Sequence, residues 1–231
     1  MSGPAQICEG VYIIGSSGIS DSMDCCVYLV DAGELVMVDA GAGKSTGRLI
    51  DNVQALGLMP ERLTTVIVTH AHIDHIGSLS ALKGKYGVKI VAHEGDALSI
   101  ESGDKVGAEY YGVSYQPCKV DITLQGAENK LTLGNHEFKF FHVPGHTPGS
   151  MVVTIKSGEQ TVLFGQDIHG PYQPMWGGEP QKAINSLKKI KAMQADILCE
   201  GHYGVIRPSG EVQSFIQEFI DSLERNCPGA G

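Results

Sequence analysis

No stretch of these 231 residues approaches the roughly 20 consecutive apolar positions that a bilayer-spanning helix needs, so no membrane association is expected. The start, Met1-Ser-Gly-Pro-Ala-Gln-Ile-Cys8, has neither a basic region nor a long apolar run, and no secretory signal is read there. Basic residues are scarce. Seventeen Lys and Arg face 26 Asp and Glu, a formal charge of −9, which argues against a nucleic-acid surface because phosphate backbones demand clustered cations. No Cys-x-x-Cys pair occurs among Cys8, Cys25, Cys26, Cys118, Cys199 and Cys227, so the cysteines form no metal pattern. They read as small buried hydrophobes, and their number without a secretory signal points to a reducing, cytoplasmic setting. No low-complexity or charge-run linker interrupts the chain, and a single domain over 1–231 is expected.

What the chain does have is a cluster of ligand-type side chains. Thr69-His-Ala-His-Ile-Asp-His-Ile-Gly77 follows the apolar run Val66-Ile67-Val68, which reads as a buried strand. In extended backbone, residues two apart point the same way, so His70 and His72 suit one cation. Asp74 and His75 come after the turn and suit a second. Three later segments repeat the arrangement of a strand, a glycine and then one ligand-type residue: His146 in Val143-Pro-Gly-His-Thr-Pro-Gly-Ser150, Asp167 after Val162-Leu163-Phe164-Gly165-Gln166, and His202 after Ile197-Leu198-Cys199-Glu200-Gly201.

Along the chain, strands are predicted over 7–14, 25–30, 35–38, 64–68 and 89–92, with helices over 44–56 and 74–85. A second, similar half runs from about 121 to 231, against about 1–120 for the first. It has strands over 130–133, 137–142, 151–155, 161–164 and 196–199 and helices over 181–193 and 210–225. Such runs fit two sheets packed face to face with helices outside. Two tempting motifs are set aside. Gly41-Ala-Gly-Lys-Ser-Thr46 lacks the early glycine of a phosphate-binding loop, since Val38 stands there, and reads as a turn and helix start. Gly43-Lys-Ser-Thr-Gly47 matches a nucleophile elbow, yet Ser45 lies several residues past its strand. His93 is expected at a helix start, and His136 and His142 in a strand.

Together these residues resemble the metallo-β-lactamase superfamily, whose His-x-His-x-Asp-His pattern appears as His70 to His75 and whose later ligands match His146, Asp167 and His202. Met37-Val38-Asp39-Ala40-Gly41 resembles its early strand-end aspartate motif, and the likeness runs over nearly the whole chain. It implies an α/β fold, the four-layer αβ/βα sandwich of two mixed sheets flanked by helices, with metals at one edge where the sheets meet. It also implies two divalent ions (Zn, Fe or Mn): His70, His72 and His146 on the first, Asp74, His75 and His202 on the second, and Asp167 bridging. Asp39 would orient ligands from outside the site, and His169, two residues after Asp167, would do so or reach the substrate.

The expected activity is hydrolysis, with a metal-bridging hydroxide attacking a small ester-like substrate and Asp74 orienting it or taking its proton. Asp167 moves the likeness towards the glyoxalase II type, which acts on thioesters, and towards lactonases and phosphodiesterases, and away from β-lactamases proper. Only about one helix follows His202, where glyoxalase II carries a longer helical extension. Alternatives on the same fold are a phosphodiesterase, a β-lactam hydrolase and a persulfide dioxygenase with one iron on His70, His146 and Asp167. A flavodiiron-type module is disfavoured, since that family usually carries Glu where His72 stands. The substrate wall is expected from Tyr110, Tyr111 and Tyr115, from Tyr172, Met175 and Trp176, and from Tyr203 beside the last histidine. The partner expected is a small molecule, and a homo-oligomer is allowed.

Overall fold

The structure, a computed structural model, describes residues 3–165 and 167–226. Its first sheet orders seven strands as they occur in the chain: β1 (Ala5–Cys8), β2 (Val11–Gly15), β3 (Val27–Asp31), β4 (Leu35–Val38), β5 (Leu63–Ile67), β6 (Lys89–His93) and β7 (Ile122–Leu124). β1 to β4 pair antiparallel, and β4 to β7 parallel. The second sheet comprises β8 (Glu128–Leu133), β9 (His136–His142), β10 (Met151–Ser157), β11 (Gln160–Phe164), β12 (Ile197–Glu200) and β13 (Gly204–Ile206), with β11 and β12 parallel and the other pairs antiparallel. Helices α1 (Thr46–Ala55), α2 (Ile73–Ile76), α3 (Leu79–Tyr86), α4 (Glu94–Ser102) and α5 (Ala108–Tyr111) belong to the first half, and α6 (Pro180–Ala192) and α7 (Ser209–Asn226) to the second.

Strand alternation builds the layers. Val36, Val38 and Ile67 face the other sheet and meet Phe138, Phe140, Val153, Val162 and Phe164 in a shared core. Their chain neighbours Leu35, Met37 and Val66 point the opposite way, onto Leu49 and Val53 of α1 and Leu79 and Leu82 of α3. Leu163 and Leu198 likewise turn outward onto α6 and α7, where Val212, Ile216 and Ile220 recur every four residues on one buried helix face. The order is therefore helices, sheet, sheet, helices, the expected αβ/βα sandwich. Among the described residues no helix is long and apolar enough to cross a membrane.

Several boundaries differ from the sequence reading. The strand expected over 7–14 is a hairpin, β1 and β2, folded at Gly10 (φ 69°). The helix expected over 74–85 is two helices, α2 and α3, parted at Gly77-Ser78. The segments α5, β7 and β13 were not anticipated, α4 starts at His93 as expected, and the stretch around 101–118 is partly helical. β7, just past residue 121, completes the first sheet. Cys25, Cys26 and Cys199 are buried, Cys8 and Cys118 are half-buried, and all five are free thiols; Cys227 lies outside the described residues. Ser45 is buried at the start of α1, its hydroxyl given to Asp24.

Candidate metal centre

All but one of the candidate ligands sit just past the carboxyl ends of parallel strands, on loops or on the short helix α2, the place where open α/β sheets hold ligands. Asp39 follows β4, His70 to His75 follow β5, Asp167 follows β11 and His202 follows β12; His146 lies in the β9–β10 loop. All seven converge. Ligand atoms of His70, His72, His146 and Asp167 lie within 4.8 Å of one another, and so do those of Asp74, His75 and His202. Asp167 joins the two groups: its Oδ1 is 3.3 Å from His75 Nε2, and its Oδ2 is 3.4 Å from His146 Nε2 and 3.3 Å from His202 Nε2.

Hydrogen bonds behind the site fix which histidine nitrogens face inward. Asp39, in the left-handed region at φ 60°, accepts from Thr69 N (2.8 Å), Thr69 Oγ1 (2.8 Å) and His75 Nδ1 (2.8 Å). Because the Thr69 hydroxyl proton goes to Asp39, Oγ1 is left to accept from His70 Nδ1 at 3.1 Å. His146 Nδ1 donates to the Pro171 carbonyl at 3.0 Å. With each Nδ1 proton committed, His70 and His146 present Nε2 lone pairs to the centre, and His75 does so once its Nε2 proton is displaced.

Those lone pairs have nothing in the protein to meet. His70 Nε2 and His146 Nε2 stand 3.2 Å apart, a repulsive approach for two acceptors. The spacing is close to the roughly 3.3 Å expected between two nitrogens on one tetrahedral cation with bonds near 2.0–2.1 Å. His72 Nε2, His75 Nε2 and Asp167 Oδ1 are buried without a hydrogen-bond partner, although buried polar atoms are nearly always paired. A donor set of imidazoles and carboxylates without thiolate fits Zn²⁺, Fe²⁺ or Mn²⁺. The residues present therefore fit divalent cations.

Electrostatics agree. Burial, with the neighbouring histidines, pushes His70 well below the ordinary imidazole value and His72 down to about 3. Burial acts the same way on His75 and His202, but the acidic groups around them prevail. Cys25, Asp167, Asp39 and Asp74 hold His75 well above that value, and Asp167 and Asp74 hold His202 up to about 10. Burial opposes ionisation of Asp167, yet His75, His146 and His202 keep it well below the usual carboxylate range.

Three supporting residues escaped the sequence reading. Asp96, buried at the start of α4, accepts from Ala71 N (2.9 Å), Thr147 Oγ1 (2.7 Å) and Gly149 N (2.8 Å), tying the two loops that carry His70, His72 and His146. Glu200, fully buried at the end of β12, accepts from His202 N (2.7 Å), Tyr203 N (2.8 Å) and His169 Nδ1 (2.9 Å). The visible signal for Glu200 is a carboxylate inside an apolar strand. Cys25 lies behind His75, its thiol grouped with Asp39.

A cavity of about 250 Å³ opens on the centre, lined by His72, Asp74, His146, Asp167, His169 and His202 and walled by Val106, Gly107, Tyr110, Tyr111, Gly170, Pro171 and Trp176. Tyr110, Tyr111 and Trp176 thus stand where the substrate wall was expected, and Val106 and Pro171 join them unanticipated. Tyr115 and Tyr172 do not line it. Tyr115 Oη donates to Ile100 O (3.0 Å), its ring on the core under α4, and Tyr172 Oη donates to Ile168 O (2.5 Å), its ring edge-on behind His146. Tyr203 lies outside it, exposed, against His169, Phe215 and Phe219. Met175 is exposed as well.

Known proteins share this sequence pattern and this fold. A family model described as the metallo-beta-lactamase superfamily matches residues 24–202. A metallo-beta-lactamase fold-containing protein of Sulfurisphaera tokodaii is 30% identical over 87% of this chain and 81% of its own. A hydroxyacylglutathione hydrolase of Haemophilus influenzae is 27% identical over 81% of this chain and 88% of its own. Among solved structures, a subclass B3 metallo-beta-lactamase of Bradyrhizobium japonicum superposes with a TM-score of 0.81 at 24% identity, covering 96% of this chain and 92% of that one.

Proposed function

Since the chain belongs to the metallo-beta-lactamase superfamily and is a metal-dependent hydrolase, we propose that it uses two divalent ions to hydrolyse a small ester-like substrate, a thioester or lactone. The observation that carries this reading is Asp167, whose two carboxylate oxygens each lie within 3.4 Å of ligand-group histidines and so span both groups. His70, His72 and His146 would hold one ion, Asp74, His75 and His202 the other, and Asp167 would touch both. Such ions, when bound, lower the pKa of a water to about 7 and polarise a carbonyl.

The chain's own residues supply the rest. Asp74, buried with Oδ2 3.1 Å from His202 Nε2, is placed to accept the proton that the attacking water loses. Tyr111 lines the same cavity as Asp74. His169, its Nδ1 committed to Glu200, keeps Nε2 for a ligand in the cavity it lines. The aromatic wall keeps bulk water from the acyl group. A hydroxyacylglutathione hydrolase among the relatives supports the thioester choice. The second converging group, Asp74, His75 and His202, favours two ions over a one-iron oxygenase.

The test is hydrolysis of a panel of esters, thioesters and lactones by metal-loaded protein. Activity should vanish with a chelator and return on reloading, and Asp167→Ala should lower kcat/KM by about 100-fold or more. An unchanged rate in Asp167→Ala would refute the two-ion reading.

A further inference from the structure

The cavity walls are unusual in their charge. No Lys or Arg is among the described residues lining it, and its two carboxylates, Asp74 and Asp167, are engaged by His75, His146 and His202. The body of a substrate would instead meet Val106, Tyr110, Pro171 and Trp176. Trp176 packs edge-on to His72 at 5.7 Å and to Tyr110 at 5.6 Å, and its indole Nε1 is buried without an acceptor. The chain as a whole carries −9, a field that repels polyanions.

We infer that the site takes an uncharged acyl compound with a short apolar body, a neutral thioester, ester or lactone, and not one that carries carboxylate or phosphate groups. This rests on the hydrolase reading and narrows it. A distant carboxylate drawn into this cavity would lose its hydration and find no cation in the walls, a costly exchange. A carboxylate drawn to the metals themselves would take the place of the scissile carbonyl and block the reaction. A neutral body loses nothing of this kind. The cavity, at about 250 Å³, lies below the roughly 300–1,000 Å³ of drug-sized ligand sites and suits a short body.

The experiment exploits the fact that Trp176 is the only tryptophan in the chain, so its emission reports on the cavity alone. Metal-loaded protein is titrated with N-(2-hydroxyethyl)butyramide and with N-butyrylglycine, near-isosteric amides that differ by one negative charge. In parallel, kcat/KM is measured for the butyryl thioesters of N-acetylcysteamine, which is neutral, and of 3-mercaptopropionate, which is anionic. The neutral member of each pair should be favoured about tenfold or more. Tyr110→Lys, at a rim position 58% exposed, should shift both preferences towards the anion by a similar factor. Equal or stronger binding of the anionic amide, no binding of either amide, or a preference unmoved by Tyr110→Lys would each overturn the inference. Discrimination between the amides with neither thioester turned over would instead refute the thioester reading and leave the selectivity of the cavity standing.

Discussion

Asp39 illustrates how much one side chain outside the metal centre decides. Its Oδ2 accepts from both the Thr69 hydroxyl and His75 Nδ1, and its Oδ1 accepts from the Thr69 amide. An asparagine would keep the shape and tolerate the left-handed backbone at φ 60°, since Asn is among the few residues that visit that region. It could not accept at both positions, because its amide group would face the two donors that Oδ2 serves. His75 would then lose the bond that fixes its tautomer, and Thr69 would lose its grip on His70. Asp39→Asn should therefore weaken metal binding by about 10- to 100-fold, read by competition with a chelator of known affinity. Unchanged affinity would show that the ligands hold their own orientation. Asp39 was visible in the sequence by its place at a strand end. Asp96 was not, and Glu200 showed only as a carboxylate in an apolar run: the partners Ala71, Thr147, Gly149 and His169 lie 25 to 53 positions away, and only the folded chain brings them together.

At the scale of elements, the break between α2 and α3 decides where Asp74 and His75 sit. Gly77 donates to the Gly41 carbonyl at 2.8 Å, and a Cβ built on it would lie 2.2 Å from the Ala42 carbonyl carbon and 2.5 Å from Gly43 N. These are backbone atoms and cannot swing away. Gly77→Ala should cost about 3 kcal/mol in a urea titration, the upper part of the over-packing range, and should lower the metal content of purified protein. Full stability with full metal content would mean that the 41–43 loop yields more readily than its packing indicates. The same contact explains a boundary the sequence concealed, because 74–85 carries a helical pattern and the kink comes from a neighbouring loop. The main strands were legible because buried parallel strands are short continuous apolar runs, as in Leu35–Val38 and Ile197–Glu200. Helix α4 was legible only at its start, His93: only Asp96 and Ile100 are buried on it, and Leu98 is 75% exposed, so its body offers no apolar periodicity. β7 and β13, three residues each, are too short to carry a pattern.

At the scale of the molecule, each sheet with its loops supplies part of the centre, so ligand charges couple the two halves. His202, after β12, faces Asp74 of α2 at 3.1 Å, and His146, after β9, faces His70, after β5, at 3.2 Å. The metal-free protein should carry the imprint of these pairs in its pH dependence. His75 is raised, and His202 reaches about 10, above the ordinary 6.5 of an unfolded imidazole. Their stabilisation is fully present below pH 6.5 and is lost as pH rises towards 10. His70 and His72 are lowered, His72 to about 3, so the folded state binds fewer protons than the unfolded state below 6.5, and stability falls as pH drops from there. The two slopes meet near pH 6.5, where metal-free protein should melt highest. Metal ligation needs the imidazoles deprotonated, so binding strengthens as pH rises and displaces the protons that His75 and His202 hold. The difference in Tm between zinc-reloaded and chelator-treated protein should therefore widen steadily from pH 6.5 to 9 in scans at matched ionic strength. A constant difference would mean that the acidic groups around His75 and His202 do not hold a proton in the metal's place, and that the halves are joined by their apolar core alone.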